Sequence, residues 1–391
     1  MFKRNLIAVS LAFAALASAQ ASAAVVGGGA TLPEKLYGIP GGTVGILNGA
    51  AGFNDYIGVG SSGGKRAFFN NDATEFDLAS GITVDYAGSD SVVSEAERDA
   101  YNAHATLGAA SFGPLVQLPS AATSVTVPFN VPGLTSLDLS SQQLANIFAG
   151  TYTNWNQVPG LNGPNLPIRV VYRADGSGTT EIFLRHLMAA APSVVPGTLD
   201  NDFVEVISPI SGLHIPADGS SGIVAEVYGA GKEGSIGYVS PDYTDFDNPA
   251  EVARINGLLP EEVNVVAALD SITLPLVTEE GKPADPANPL AWVPASQLAN
   301  PSAGYSIVGV TNLVFSQCYQ DSGDLGKIQD FTARHYNAFG ANNDAEISAH
   351  SLIPLPFDWK VAVEDTFVTN LTGDNLDIGN TSVCNGIGRP L

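Results

Sequence analysis

Three glycine-rich, hydroxyl-rich segments carry the residues best suited to chemistry: VGGGATLP (26–33), GVGSSGGK (58–65) and RADGSGTTE (173–181). A shorter fourth, AGSDS (87–91), lies between the second and the third. Each sets small residues where a strand should end and a helix begin. At such a junction the first backbone N–H groups have no intrahelical partner, and the helix dipole adds partial positive charge. Glycine lets a ligand reach the backbone and hydroxyls add donors, so the chemistry on offer is the cradling of an anion.

RADGSGTTE is the sharpest of the four. Ser177, Gly178 and Thr179 would sit over a first helical turn, and Arg173 offers a forked pair of donors that matches two oxyanion oxygens. Asp175 would brace the guanidinium. The same residues also fit a plain capped helix with a surface arginine, so this segment alone does not decide.

GVGSSGGK invites a nucleotide reading, because Gly58-x-Gly60-x-x-Gly63 has dinucleotide spacing and Lys65 follows. That fold needs an acid about 20 residues on, after the next strand. Asp85 is at tolerable spacing, but the third glycine leads into Gly64, Lys65 and Arg66, an uncommonly basic first turn. The ATP-loop reading fails by count: it would need glycine at 59 and Ser or Thr at 66, where the chain has Val59 and Arg66. What remains is a serine-bearing turn at a helix start, with Lys65 and Arg66 as flanking charges one turn beyond.

The elements that must hold these segments alternate along the chain. Ile57–Val59, Val125–Pro128, Ile168–Tyr172, Ile236–Val239 and Ile307–Thr311 read as strands, short, apolar and bounded by Gly, Pro or Ser. Ser140–Ala149 (with Ser140 as cap), Thr179–Ala189, Gly222–Tyr228, Leu325–Tyr336 and Trp359–Val368 read as helices. The alternation predicts an α/β fold with largely parallel sheets. Glu279–Gly304 carries five prolines and reads as a long loop or inter-domain connection. No internal repeat is evident.

Lys3 and Arg4, the apolar run from Leu6 to about Ala19, and Ala21-Ser22-Ala23 make residues 1–23 a secretory signal peptide. No cysteine adjoins the cut, so no lipid anchor is expected. Removing Lys3 and Arg4 leaves 14 basic against 39 acidic residues, a mature balance of −25. That excludes a nucleic-acid binder, which needs a cationic surface. Charged residues are only 14% and hydrophobic ones 45%, so the chain can bury large cores, and its length favours two domains. In an oxidising compartment Cys318 and Cys384 are simplest read as one disulfide. The five histidines are scattered, without a second ligand two to four residues away, and no metal or other cofactor is expected.

Taken together, the segments resemble the phosphate-binding proteins of bacterial phosphate uptake (PstS-like), and most closely their DING branch. GGGATLP, GVGSSGG, AGSD and RADGSGTT stand in the family's order. The resemblance extends through YIGVGS, QLPSAATSV, IFAG, YVSPD, TNLVFSQCY, NNDA and VCNGIGRP, nearly the whole mature chain. Two departures stand out: Ala24-Val25-Val26 replaces the namesake Asp-Ile-Asn start, and Ala145 stands where the branch carries a cysteine of a second pair. Neither change falls within GGGATLP, GVGSSGG, AGSD or RADGSGTT.

The resemblance implies a type II periplasmic-binding-protein fold, two lobes hinged around a ligand cleft. Lobe 1 would comprise 24–120 plus 306–391, and lobe 2 would comprise 121–305, with crossings near Ser120 and Tyr305. Phosphate would be held by Thr31, Leu32, Ser61 and Asp90 from the first lobe and Arg173, Ser177, Gly178 and Thr179 from the second. An ionised Asp90 only accepts hydrogen bonds, so a phosphate that keeps a proton can donate to it, whereas sulfate cannot. Each unmatched buried charged contact costs on the order of several kcal/mol, enough for a discrimination of about 10⁴ or more. The implied function is secreted or periplasmic capture of inorganic phosphate by a soluble monomer, with a phosphate ABC permease as a further partner. Some members of the branch are described as small secreted alkaline phosphatases, so hydrolysis of phosphate esters in the same cleft, through Ser61, Asp90 and Arg173, is the alternative. No di-metal carboxylate–histidine cluster or Asp-Ser nucleophile motif accompanies it in the sequence.

Overall fold

The computed structural model describes residues 24–208, 213–272 and 282–389. The proposed signal peptide therefore lies outside the described residues. Among the described residues eleven strands form in chain order: β1 (Gly27–Gly29), β2 (Ile57–Gly58), β3 (Tyr86–Ser89), β4 (Leu115–Ser124), β5 (Phe129–Asn130), β6 (Asp138–Leu139), β7 (Arg169–Arg173), β8 (His214–Ala217), β9 (Ser235–Ile236), β10 (Arg254–Ile255) and β11 (Val308–Ser316). One sheet has the order β2-β1-β3-β11-β4 and a second the order β5-β9-β7-β8, while β10 pairs with β6. The architecture is the α/β, two-lobe fold, one lobe around each larger sheet.

The sheets are less parallel than the alternation predicts. In the first, β1 runs parallel to β2 and β3, but β11 runs antiparallel to both β3 and β4. β4 and β11 are long, buried along their whole length, and lead between the lobes. Their register shifts between Thr311 and Asn312, which face Ala121 and Pro119. Pro119 has no N–H to give the ladder, and Ser120 is the extra residue of the resulting bulge. Beyond it, Val125 donates to Ile307 O at 2.9 Å, and Thr126 bridges to Val239 of the second lobe.

The helices follow their caps. Ser140 and Gln143 make a reciprocal capping box ahead of Ser141–Phe148. Gly178–Ala190 and Ser322–His335 begin within a few residues of their predicted starts. The predicted Trp359–Val368 helix is instead Phe357–Val363 followed by a wider turn over Glu364–Val368. The proline-rich stretch is not bare connection: Pro289–Trp292 and Ala295–Leu298 are helical, and Trp292 is buried against Phe367.

The C-terminal tail returns to the first lobe. Cys318 and Cys384 are joined, their Cα atoms 5.3 Å apart, across a separation of 66 residues. Arg389 is fully buried between the rings of Phe68 and Phe112 and donates to Ser316 Oγ, Phe68 O and Val84 O.

Candidate functional site

The glycine-rich segments do end at strand-to-helix junctions. β2 passes into the Gly60–Asn70 helix through Gly60, whose φ of +78° is a conformation that a side chain would strain. β7 passes into the Gly178–Ala190 helix, capped by Ser177, whose Oγ accepts from Thr180 N at 3.3 Å. Asp90 follows β3 directly.

Ser61 links these junctions. It is fully buried, and its Oγ accepts from the N–H groups of both Asp90 and Gly178 at 3.1 Å. A hydroxyl at the start of the Gly60–Asn70 helix thereby touches the start of the Gly178–Ala190 helix, and its own proton stays free to donate. Gly178 is required by this approach: a Cβ there would collide with Ser91 N, Asp90 Cβ and Ser61 Oγ.

Arg173, 1% exposed, is fixed at both ends. Its backbone N–H donates to Tyr238 Oη at 3.1 Å, and its Nε donates to Asp175 Oδ1 at 2.6 Å, with Nη2 on Asp175 Oδ2. Burial works against the guanidinium charge, but Asp175 more than offsets it and holds the Arg173 pKa above its ordinary value. Burial likewise opposes ionisation of Asp175, and Arg173 reverses it, so the Asp175 carboxyl lies below the usual range. Asp175 also accepts from Gly219 N at 3.2 Å, at the start of the Gly219–Tyr228 helix.

Asp90 is the exception in a site of donors. It is 2% exposed, and neither carboxylate oxygen has a hydrogen-bonding partner of ordinary geometry. Burial pushes it up to about 7, against the pull of the Thr311 hydroxyl and the Arg173 charge. Thr179 Oγ1 is also buried without a partner. The N–H groups of Thr31 and Leu32 make no hydrogen bond among the described residues, while their carbonyls accept from Ser220 and Ser240 at 3.2 and 2.9 Å.

Direct contacts join Ser61 with Asp90 and Gly178, while Thr31 and Leu32 meet Ser220 and Ser240. A neighbouring cavity of about 280 Å³ is lined by Thr31, Glu34, Gly58, Asp175, Asp218 and Gly219 among others; of the eight sequence-predicted residues only Thr31 lines it. Asp85, the acid a dinucleotide fold would need, is instead buried and accepts from Val26 N at 2.8 Å. Lys65 corrects the reading of flanking charges: it is 5% exposed and paired with Glu97 at 2.9 Å. Arg66 is the exposed one, paired with Glu75.

Sequence reading missed the residues that brace the site from a distance. Ser220 Oγ lies 3.1 Å from Thr31 Oγ1, and Ser62 Oγ donates to Asn201 Oδ1 at 3.0 Å. One signal was available: Gly219-Ser220-Ser221-Gly222 repeats the Gly60-Ser61-Ser62-Gly63 sequence, again at a helix start. Among the described residues no group of three or more His, Cys, Asp or Glu is placed to hold a metal ion.

Residues 16–323 match the model of the PBP superfamily domain. The chain belongs to the PBP superfamily. Among its relatives there, the chain is 45% identical over 392 residues to alkaline phosphatase L of Pseudomonas aeruginosa, covering 100% of both proteins. It is similar to the solved structure of a high-affinity periplasmic phosphate-binding DING protein with phosphate bound, at 39% identity and a TM-score of 0.83, over 94% of this chain and 100% of that one. A phosphate-binding protein of Stenotrophomonas maltophilia superposes with a TM-score of 0.82 at 37% identity, over 95% of this chain and 100% of that one. The chain is thus similar to proteins of two descriptions, a phosphatase and phosphate binders.

Proposed function

We propose that this protein captures inorganic phosphate in the cleft between its lobes, for phosphate acquisition, after export as a periplasmic or secreted protein. The observation that carries the reading is the pairing of many donors with one acceptor. Arg173, the Ser61 and Thr179 hydroxyls, and N–H groups of Thr31, Leu32 and Thr179 offer protons to an oxyanion, while Asp90 can only receive one when ionised. A monoprotonated oxyanion satisfies both demands; phosphate has that proton. Ser177 and Gly178 hold the helix start in place, and Asp175 fixes the plane of the guanidinium. The phosphate-bound DING neighbour supports the same ligand.

The lobes are assigned as 24–120 with 306–391 and 121–305, and the bulge at Ser120 supports a hinge there. Residues 1–23 direct export, and a phosphate ABC permease is the proposed recipient of the ligand. Calorimetry with inorganic phosphate tests the main reading: wild type binds with a single site, and Arg173→Ala loses at least 100-fold in affinity.

The second reading is phosphomonoester hydrolysis, favoured by the full-length similarity to alkaline phosphatase L. Ser61 Oγ would attack phosphorus as its proton passes to Asp90, and the ester P–O bond would break as Asp90 returns that proton to the departing alkoxide. Water would then hydrolyse the phosphoserine to free Ser61 and phosphate. Ser61 Oγ already accepts two N–H groups, which occupies lone pairs a nucleophile needs. Binding is therefore the better supported function. Hydrolysis of a chromogenic phosphomonoester decides: activity lost in both Ser61→Ala and Arg173→Ala places catalysis in the cleft, and activity that survives both does not belong to it.

A further inference from the structure

The lobes meet at a second place, at the rim of the cavity that Glu34 helps to line. In the first lobe Glu34 and Lys35 open the short helix Glu34–Tyr37 that follows the VGGGATLP segment. In the second, Asp242 and Tyr243 lie in the turn Pro241–Tyr243 after β9. Lys35 Nζ donates to the carbonyl oxygen of Asp242 at 2.7 Å and stands 3.4 Å above the centre of the Tyr243 ring. The Tyr243 hydroxyl donates to Glu34 Oε1. Beside them Ser240 Oγ lies 2.9 Å from Leu32 O.

We infer that Lys35, Glu34 and Tyr243 form a latch that sets phosphate affinity by holding the lobes closed, without touching the anion. The inference rests on the phosphate reading of the cleft. The partners are more than 200 residues apart in sequence and belong to different lobes, so every one of these contacts is lost when the cleft opens. A hinged binder's apparent affinity is its closed-state affinity multiplied by the fraction closed, so contacts made only on closure strengthen binding from a distance. The chemistry is well matched. An ammonium over an aromatic face and a charge-assisted bond to a carbonyl both gain as water is excluded. Glu34 receives its hydroxyl donor only from across the gap. In a mature chain with 14 basic residues against 39 acidic ones, a cation placed at the cleft rim also offsets local repulsion between the lobes.

Lys35 and Glu34 are half-buried, so the substitutions spare the core. Lys35→Met is expected to raise the Kd for inorganic phosphate about tenfold, through faster dissociation with association little changed. Tyr243→Phe, which removes only the donor to Glu34, is expected to give about a threefold to tenfold loss. Lys35→Arg keeps the cation and recovers most of the affinity. The phosphate-to-sulfate ratio stays at its wild-type value in all three, because none of these side chains meets the ligand. Stopped-flow dissociation and calorimetry read these quantities, with X-ray scattering of the ligand-free proteins alongside. Unchanged dissociation rates in both Lys35→Met and Tyr243→Phe, or an altered phosphate-to-sulfate ratio, overturn the latch. If wild type takes up no phosphate, the ligand reading fails by itself and scattering decides the latch: a larger radius of gyration in Lys35→Met upholds it, and an identical one overturns it.

Discussion

Sulfate is the anion that tests Asp90. The carboxyl is buried, both its oxygens lack partners, and its pKa stands near 7, up from an ordinary 3.8. Sulfate at neutral pH brings no proton, so it can enter the closed site only when Asp90 itself carries one. The sign follows from linkage. Below pH 7 Asp90 is mostly protonated and sulfate binding is flat with pH; above pH 7 each unit removes the competent form tenfold. At pH 9 about one molecule in a hundred has Asp90 protonated, which costs sulfate about 100-fold in affinity, roughly 3 kcal/mol. Phosphate escapes this cost, because its own proton bridges to the ionised carboxylate over the same range.

The assay is competition by sulfate against phosphate, measured by calorimetry at pH 6, 7, 8 and 9. Wild type is expected to show a sulfate affinity with a slope of minus one above about pH 7 and a nearly level phosphate affinity. In Asp90→Asn the amide donates to either anion, so the slope vanishes and sulfate binds throughout. An opened, hydrated cleft lowers the Asp90 pKa and moves the break to lower pH, leaving the slope intact. A level sulfate affinity in wild type from pH 6 to 9 would falsify the role of Asp90. So would an unchanged slope in Asp90→Asn. This also revises the sequence-based figure: near neutral pH the discrimination through Asp90 is modest, and it grows with alkalinity rather than holding at about 10⁴.

Gly178→Ala introduces a methyl that collides with Asp90, Ser91 and Ser61 on the facing lobe. Alanine favours the helix itself, so the protein should fold with unchanged ellipticity while phosphate affinity falls about 100-fold or more. Losing the Cys318–Cys384 bridge frees a loop of 66 residues and should lower stability by about 4 kcal/mol by chain entropy; urea unfolding with and without reductant, or of Cys318→Ser/Cys384→Ser, measures it. His335 is buried with its pKa lowered to about 4, its Nε2 facing Ser120 O at 3.0 Å and its Nδ1 facing the Asn343 amide at 3.1 Å. The folded pKa lies below the unfolded 6.5, so its contribution is complete above 6.5 and declines by about 3 kcal/mol as pH falls to 4. His335→Gln should remove that part of the acid loss, seen as a flatter dependence of unfolding free energy on pH.

How far the sequence discloses this molecule follows the range of each interaction. The strand ends and helix starts that carry Ser61, Asp90, Arg173 and Ser177–Thr179 were legible because each is a local device: a strand end and a few small residues, all within one short segment. Ser140 was legible for the same reason, its capping box closing within three residues. Lys65 was misread because its burial is set by Glu97, 32 residues on, and no periodicity announces that. β4 was missed for a related cause. QLPSAATS lacks the apolar alternation of a half-exposed strand, because β11 lies beside it and packing covers all ten of its residues. The latch lies furthest from sequence reading. Glu34 and Lys35 look like an ordinary charged helix start, and SPDYT like an ordinary turn; only closure of the two lobes gives either its partner. Anion recognition is thus encoded in separate local segments. The closure that completes the pocket is encoded in pairs that the chain keeps more than 200 residues apart.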